Sequence, residues 1–380
     1  MDLAPRGVAT PIDSISDPAS TAAMPEPDLR GERWLAIVIA TYQERDFIGR
    51  CLDSVCGFEV PAGTRVEILV VDGMSDDGTR EIVLARAAAD PRVRLLDNPR
   101  RIQSSAVNLA IQETRAEAIL WLGAHADYPL DYVVRTLEVF DASGADNVGG
   151  VVLTKRRQDT FAALLVQALT THSFGVGDSS FRTHLRSGAI DTVPYGCFRR
   201  SIFERVGLFD ERLVRAQDYE MNCRIRANGG RIWLDPAIRA DYYQQPDLKS
   251  FLDKQFRVEA PYNAYMWYLA PYAFTPRHAV SAFFAAGVIG GLMLSPFIPW
   301  VQIAFLGVMA LYFVLAVLSA GQQARRYRRP GLLLALPVAF FLFHFVHGLG
   351  VIRGLLNLAV GRAPVQNRSY VRPRLARSKS

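Results

Sequence analysis

Cysteine is scarce in this chain: 380 residues carry four, Cys51, Cys56, Cys197 and Cys223. None forms a closely spaced metal-binding pair, and Cys51 and Cys56 fall on different faces of one predicted helix. This argues against a disulfide scaffold or a zinc module and fits buried, reduced thiols in a cytosolic compartment. No G-x-G-x-x-G follows the second predicted strand, which disfavours a dinucleotide-binding fold. Residues 1–31 have no apolar run, and carry several prolines with Asp2, Asp13, Asp17, Glu26 and Asp28. They read as a disordered leader and not as a signal peptide. Charge is missing altogether from His278 to Ala324, a stretch of 47 residues. As one helix it would measure ~70 Å, too long for a single crossing of a ~30 Å hydrocarbon core and suited to two. Pro296 and Pro299 mark the turn of this hairpin.

What is present is 50% hydrophobic, with a formal net charge of +6. The basic clusters flank the hydrophobic runs, which points to anionic lipid and away from nucleic acid. Arg325, Arg326, Arg328 and Arg329 are expected on the cytoplasmic side, with both ends of the 278–324 hairpin and the N-terminal domain. The third hydrophobic segment, 330–361, is harder to place. A full crossing would export the basic tail, 362–380, which holds Arg362, Arg368, Arg372, Arg374, Arg377 and Lys379. Pro337, His344, His347, Gly348, Gly350 and Arg353 also make it a poor simple span. Crossing, re-entrant and interfacial placements remain open from the sequence.

Between the leader and the membrane region, residues 32–245 alternate short apolar runs with helical patterns. Strands are predicted at 35–41, 66–72, 93–96, 118–122 and 148–153, and helices at 47–56, 79–89 and 104–114. Continuous runs such as IVIA and EILVV imply a mostly parallel sheet covered on both faces, hence an α/β fold. Residues 246–277 form an aromatic-rich interfacial segment with Phe256, Tyr262, Tyr265, Trp267, Tyr268, Tyr272 and Phe274.

In an open parallel sheet, ligands bind at the carboxyl ends of the strands. Ala40-Thr41-Tyr42-Gln43-Glu44 closes the first strand there, and Val70-Val71-Asp72-Gly73-Met74-Ser75-Asp76-Asp77-Gly78-Thr79 closes the second. A carboxylate at Asp72 suits a ribose or a uracil ring, while Ser75 or Asp77 suits a helix cap before Thr79. After the fourth strand come Leu122-Gly123-Ala124-His125-Ala126-Asp127, and Asp127 has a second reading as the cap of a following helix. Gln217-Asp218-Tyr219-Glu220 opens a helix that Gly229-Gly230 stops.

The "ATYQE" and "VVDGMSDDGT" pieces, with "RIQSSAVNLAI" and "RAQDYEMNCRIRANGGRIWL", resemble family 2 glycosyltransferases of the GT-A fold across residues 35–245. The pieces "GVGDSSFR" and "VPYGCFRRSIFERVGLFDERLVRAQDYEMN", with the C-terminal hydrophobic runs, resemble the membrane-bound succinoglycan (ExoA-like) type. The resemblance implies donor contacts at Thr41, Glu44, Asp72, Asp76 and Asn108. It implies a divalent metal, Mn²⁺ or Mg²⁺, at the family's Asp-x-Asp position. Here Gly123 and His125 stand in place of the two acids, which leaves His125 and Asp127 as ligands and favours Mn²⁺, which accepts imidazole. By the same resemblance Asp218 is the catalytic base, and Gln217, Glu220, Gln255 and Arg257 are diphosphate or acceptor contacts. The expected activity is inverting transfer of a sugar from a nucleotide-diphospho-sugar, a UDP-sugar first, to a lipid-linked or membrane-proximal glycan in polysaccharide biosynthesis. The expected location is the cell (inner) membrane, multi-pass, with the catalytic domain cytoplasmic. Two rival expectations are a processive polysaccharide synthase and a catalytically weakened nucleotide-sugar-binding scaffold.

Overall fold

Aliphatic runs build the first half of a nine-stranded mixed sheet in the computed structural model, which describes residues 33–177, 186–366, 370, 372, 373 and 375. The expected leader (1–31), the "DSSFR" of one motif and much of the basic tail lie outside the described residues. β1 (Arg33–Thr41), β2 (Thr64–Asp72), β3 (Val93–Asp97) and β4 (Ala118–Gly123) are parallel, in the order β3-β2-β1-β4. Between them run α1 (Arg45–Cys56), α2 (Thr79–Ala89) and α3 (Gln103–Glu113). Alternate residues of β1 serve two layers: Leu35, Ile37 and Ile39 pack in one core, and Trp34, Ala36 and Val38 in the other. Both faces are covered, which is why the strands read as unbroken apolar runs.

The second half is assembled from distant pieces. β5 (Ala126–Asp127) and α4 (Tyr132–Ser143) precede β6 (Asn147–Lys155). α5 (Phe161–Thr170), α6 (Ser173–Val176), β7 (Gly188–Ala189), β8 (Cys197–Arg199) and α7 (Arg200–Val206) follow. α8 (Gln217–Ala227) then leads to β9 (Ile232–Tyr243), which continues the order as β4-β8-β6-β9-β5. β8 runs antiparallel to both β4 and β6, while β6 and β9 are parallel. The sheet is therefore mostly parallel with antiparallel insertions. β9 was not anticipated, because Asp235-Pro236 interrupts its apolar pattern. The helix after β5 starts at Tyr132 with Asp131 as its cap residue, so Asp127 is not a helix cap.

Beyond the sheet come α9 (Leu248–Lys254), a π-helical turn (Gln255–Glu259) and α10 (Ala260–Leu269). Three helices long and apolar enough to cross a membrane follow: α11 (Pro276–Leu294), α12 (Pro299–Tyr327) and α13 (Leu332–Ala359). α11 and α12 form the expected hairpin, turning between Leu294 and Pro299. The third segment is one continuous helix through Pro337, which removes the re-entrant alternative.

Candidate functional site

The parallel register brings three strand ends to one edge. Thr41 lies opposite Asp72, and Ala40 opposite Gly123. The chain leaves β1 and β2 through left-handed turns at Gln43 (φ 56°) and Met74 (φ 61°), and Arg101 (φ 57°) after β3, Tyr195 (φ 47°) before β8 and Ala216 (φ 61°) before α8 are left-handed too, although none is glycine. Such positions cost on the order of 1–3 kcal/mol each and cluster at functional sites. Here they aim Glu44, the 73–78 loop and the start of α8 at a common edge.

Asp72 is fully buried. Its carboxylate accepts from the Ser75 amide (2.8 Å) and hydroxyl (2.6 Å) and pairs with Arg80 at 3.0 Å. Asp72 thus fixes the 73–78 loop that lines the edge. Asp77 precedes Gly78, the cap residue of the next helix, and accepts from Thr79 N (3.0 Å) and Arg45 N (3.1 Å). Asp76 is exposed and bonded by Gln43, beside a cavity of about 460 Å³ lined by both. Thr41 is buried with no hydrogen-bond partner for its hydroxyl among the described residues. An unpaired buried hydroxyl at a ligand edge is a ready donor or acceptor for a bound molecule.

Asn108 was expected to touch the donor, and the structure gives it another task. It is buried, and its amide is used on both sides: it donates to Phe209 O (3.0 Å) and Glu211 Oε1 (2.9 Å) and accepts from Phe209 N (2.8 Å). It clamps the segment that leads to α8.

At the end of β4 the departure from two acids has a steric partner. A Cβ at position 123 would lie 2.8 Å from Tyr195 Cε1, so the glycine admits that ring. His125 Nδ1 lies 3.2 Å from Glu44 Oε1. The ring donates Nδ1–H to the carboxylate, which fixes the tautomer and turns the Nε2 lone pair outward, as in carboxylate–histidine–metal arrangements. His125 thus offers one nitrogen to a divalent metal, and among the described residues no three His, Cys, Asp or Glu side chains are grouped to hold one. The Asp127 carboxylate is held by Arg50 and by the Tyr243 hydroxyl at 2.7 Å.

α8 carries the second carboxylate group. Gln217 donates to Gln103 Oε1 (2.8 Å) at the start of α3, which ties the beginning of α8 to the same edge of the sheet. Asp218 follows, accepting the Tyr219 amide at 2.8 Å, and no side chain donates to it among the described residues. Burial raises its pKa; neighbouring Glu259 pushes the same way, and its backbone bonds and Arg215 pull against it. Glu259 comes from the π-helical turn and pairs with Arg215 (3.4 Å) and Lys254 (3.3 Å). Sequence reasoning missed this trio, because 43 positions and a strand separate Arg215 from its carboxylate partner Glu259.

Two further expected contacts are structural. Glu220 is buried against Arg224 in a two-pronged pair (3.0 and 2.6 Å), accepts the Tyr272 hydroxyl, and has Arg372 at 3.7 Å. Buried and met by three protein hydrogen bonds, this acid is committed to its ion pair. Arg257 is exposed and paired with Asp253 on the previous helical turn. Gln255 opens the π-helical turn and lies partly buried.

Residues 36–207 match the family described as "Glycosyl transferase family 2". The succinoglycan biosynthesis protein ExoA of Rhizobium meliloti (strain 1021) is 35% identical over 214 residues, 56% of this chain and 64% of that protein. The chain thus covers slightly less than two thirds of that relative. A dolichyl N-acetyl-alpha-D-glucosaminyl phosphate 3-beta-D-2,3-diacetamido-2,3-dideoxy-beta-D-glucuronosyltransferase of Methanococcus voltae is 24% identical over 335 residues, 85% of this chain and 98% of that protein. Among solved structures, the mannosyltransferase PcManGT of Pyrobaculum calidifontis, in complex with GDP-Man and Mn²⁺, superposes with a TM-score of 0.53. It is 19% identical and covers 86% of this chain and 87% of its own, a likeness of fold.

Proposed function

We propose that the chain, whose residues 36–207 match glycosyl transferase family 2, is an inverting, membrane-anchored transferase of that family. It moves a sugar from a nucleoside-diphosphate sugar, with a UDP-sugar the first to test, to a lipid-linked or membrane-proximal glycan. The observation that carries the reading is Asp218: a carboxylate at the ligand edge, unpaired by any side chain among the described residues, with its pKa raised by burial. A base of raised pKa takes a hydroxyl proton more effectively than an ordinary carboxylate.

In the proposed step the acceptor oxygen bonds to the anomeric carbon as the carbon–oxygen bond to the diphosphate breaks on the opposite side. The acceptor proton passes to Asp218, and the electron pair leaves with the diphosphate. One displacement inverts the configuration. Thr41 and the 73–78 loop, held by Asp72, receive the nucleoside. A divalent metal, when bound at His125 Nε2, would neutralise charge on the diphosphate. The name of the archaeal relative, which describes a dolichyl-phosphate-linked sugar, supports a lipid-linked acceptor. The three apolar helices support an anchor with the catalytic domain on the side of Arg325, Arg326, Arg328 and Arg329.

A panel of nucleotide sugars, scored by thermal shift and by release of the nucleoside diphosphate with Mn²⁺, Mg²⁺ or EDTA, tests the proposal. A donor that stabilises the protein and is turned over faster with acceptor supports it. Absence of both responses across the panel would sink it.

A further inference from the structure

The last apolar helix does not have the environment of a membrane span. Its start rests on the catalytic domain, its end rests on α10, and the chain beyond it returns to the catalytic domain. At its start, Gly331 approaches Phe161 at the head of α5, and Leu332 and Leu336 share a core with Leu164, Val166 and Leu169 of α5. At its end, Asn357 donates to the Tyr265 hydroxyl of α10 at 2.9 Å. The chain beyond it stays there: Pro373 O accepts from Leu208 N (3.3 Å), and Arg372 pairs with Asp210 at 3.0 Å.

Length decides what that means. α13 has 28 residues, ~42 Å of helix, more than a ~30 Å hydrocarbon core. A crossing helix of that length cannot have both ends on one soluble domain. Exposure says the same. Positions 341–350 of α13 include no exposed residue, while exposed residues flank that stretch at 333, 334 and 338 and at 353, 355 and 356. α12 contrasts with it: none of its residues 299–315, the part that runs from the hairpin tip, is buried.

Close packing explains the covered middle. A Cβ at Gly348 would lie 2.0 Å from Ser281 O of α11, one at Gly350 2.7 Å from Ala260 Cβ, and one at Gly354 2.7 Å from Pro261 O. Small residues let helix backbones approach this closely. They seat α13 across the base of the hairpin and against the π-helical turn.

We infer that α13 is an interfacial helix. It lies along the plane of the bilayer between the domain and the foot of the α11–α12 hairpin, and presents Leu334, Val338, Leu355, Leu356 and Val360 to the headgroup–acyl boundary. The protein crosses the membrane twice, and the basic tail stays on the catalytic side. Arg353, exposed and stacked on Phe256 at 5.3 Å, then sits at headgroup depth and not in hydrocarbon. The consequence for the site is height: α13 grips the turn that carries Glu259, beside Asp218, and so holds the base at the membrane surface. This inference rests on the membrane anchor proposed above.

Single cysteines test it in sealed membrane vesicles of both orientations, using an impermeant maleimide and the parent chain as baseline. Leu84→Cys on α2, Arg329→Cys and Val360→Cys should label from one face, and Phe297→Cys at the hairpin tip from the other. Arg362→Cys gives the same reading if Val360→Cys does not fold. Labelling of position 360 or 362 from the same face as 297 would overturn the inference and leave the anchor standing. Release of the chain by alkaline carbonate would overturn the anchor and the inference together.

Discussion

At the ends of β1 and β2 and on β5 the acids are already held by protein: Glu44 by His125, Asp72 by Ser75 and Arg80, and Asp127 by Arg50 and Tyr243. On α8, Asp218 is met only by backbone amides and is pushed toward its neutral form by burial. The first rim is a set of braced loops that offer shape, amides and one aimed imidazole. The second is a single underpaired carboxylate. Binding needs the former, because a preformed site avoids ordering costs. Proton transfer needs the latter, because a fully bonded carboxylate is a poor base.

The sharpest way to break this contrast is Asp218→Asn. Turnover should fall by ~10²–10⁴-fold while donor affinity stays within a few-fold. Near-parental turnover would show that the base lies elsewhere. The raised pKa adds a pH signature in the parent: the acid limb of kcat/KM should fall above the ordinary 3.8 of an aspartate and vanish in the variant. The sign for stability is opposite. An acid whose folded pKa is raised binds more protons when folded, so its share of stability is lost as pH rises through the window from 3.8 to the folded value.

Two positions along the same helix, Glu220 should behave as structure. Glu220→Ala leaves Arg224 buried without its carboxylate and should cost about 3–5 kcal/mol of stability, read by denaturant unfolding. A variant of parental stability with lost turnover would return Glu220 to the acceptor site. On the donor rim, His125→Ala should weaken Mn²⁺-dependent donor binding by ~10–100-fold, with Glu44→Gln at the low end of that range. Donor affinity unchanged by EDTA in the parent would remove the metal from this rim. Asp127→Ala should leave the metal dependence in place. The smallest effect is expected at Arg257: its exposed pair with Asp253 is worth about 0–1 kcal/mol, so Arg257→Ala should leave both affinity and turnover near parental. A large loss in that variant would mean that Arg257 turns inward when substrate binds.

The sequence by itself determined the parallel half of the sheet, because residues covered on both faces must be apolar without interruption. It also located the ligand edge, since strand ends carry their loops with them. Thr41, Glu44, Asp72, His125 and Asp218 were legible as residues of that edge from motif and position. It determined the existence of the hairpin, where charge is absent for longer than one span can use. Tertiary structure alone decided what each polar group does. Asn108, Glu220 and Asp127 look like site residues in the sequence and prove to be a clamp, a buried ion pair and a surface-side pair: the partners of Asn108 and Asp127, at 209 and 50, come from other elements, and the Glu220–Arg224 pair, one turn apart on α8, is buried only by the packing of the fold. Gly123 reads as a lost acid until Tyr195 is seen to fill its space. The last helix carries the plainest case. α12 and α13 are alike in length and apolar composition, and hydropathy measures only what a side chain prefers. Whether lipid or protein satisfies that preference depends on where the two ends of the helix are anchored, and only the folded chain fixes that.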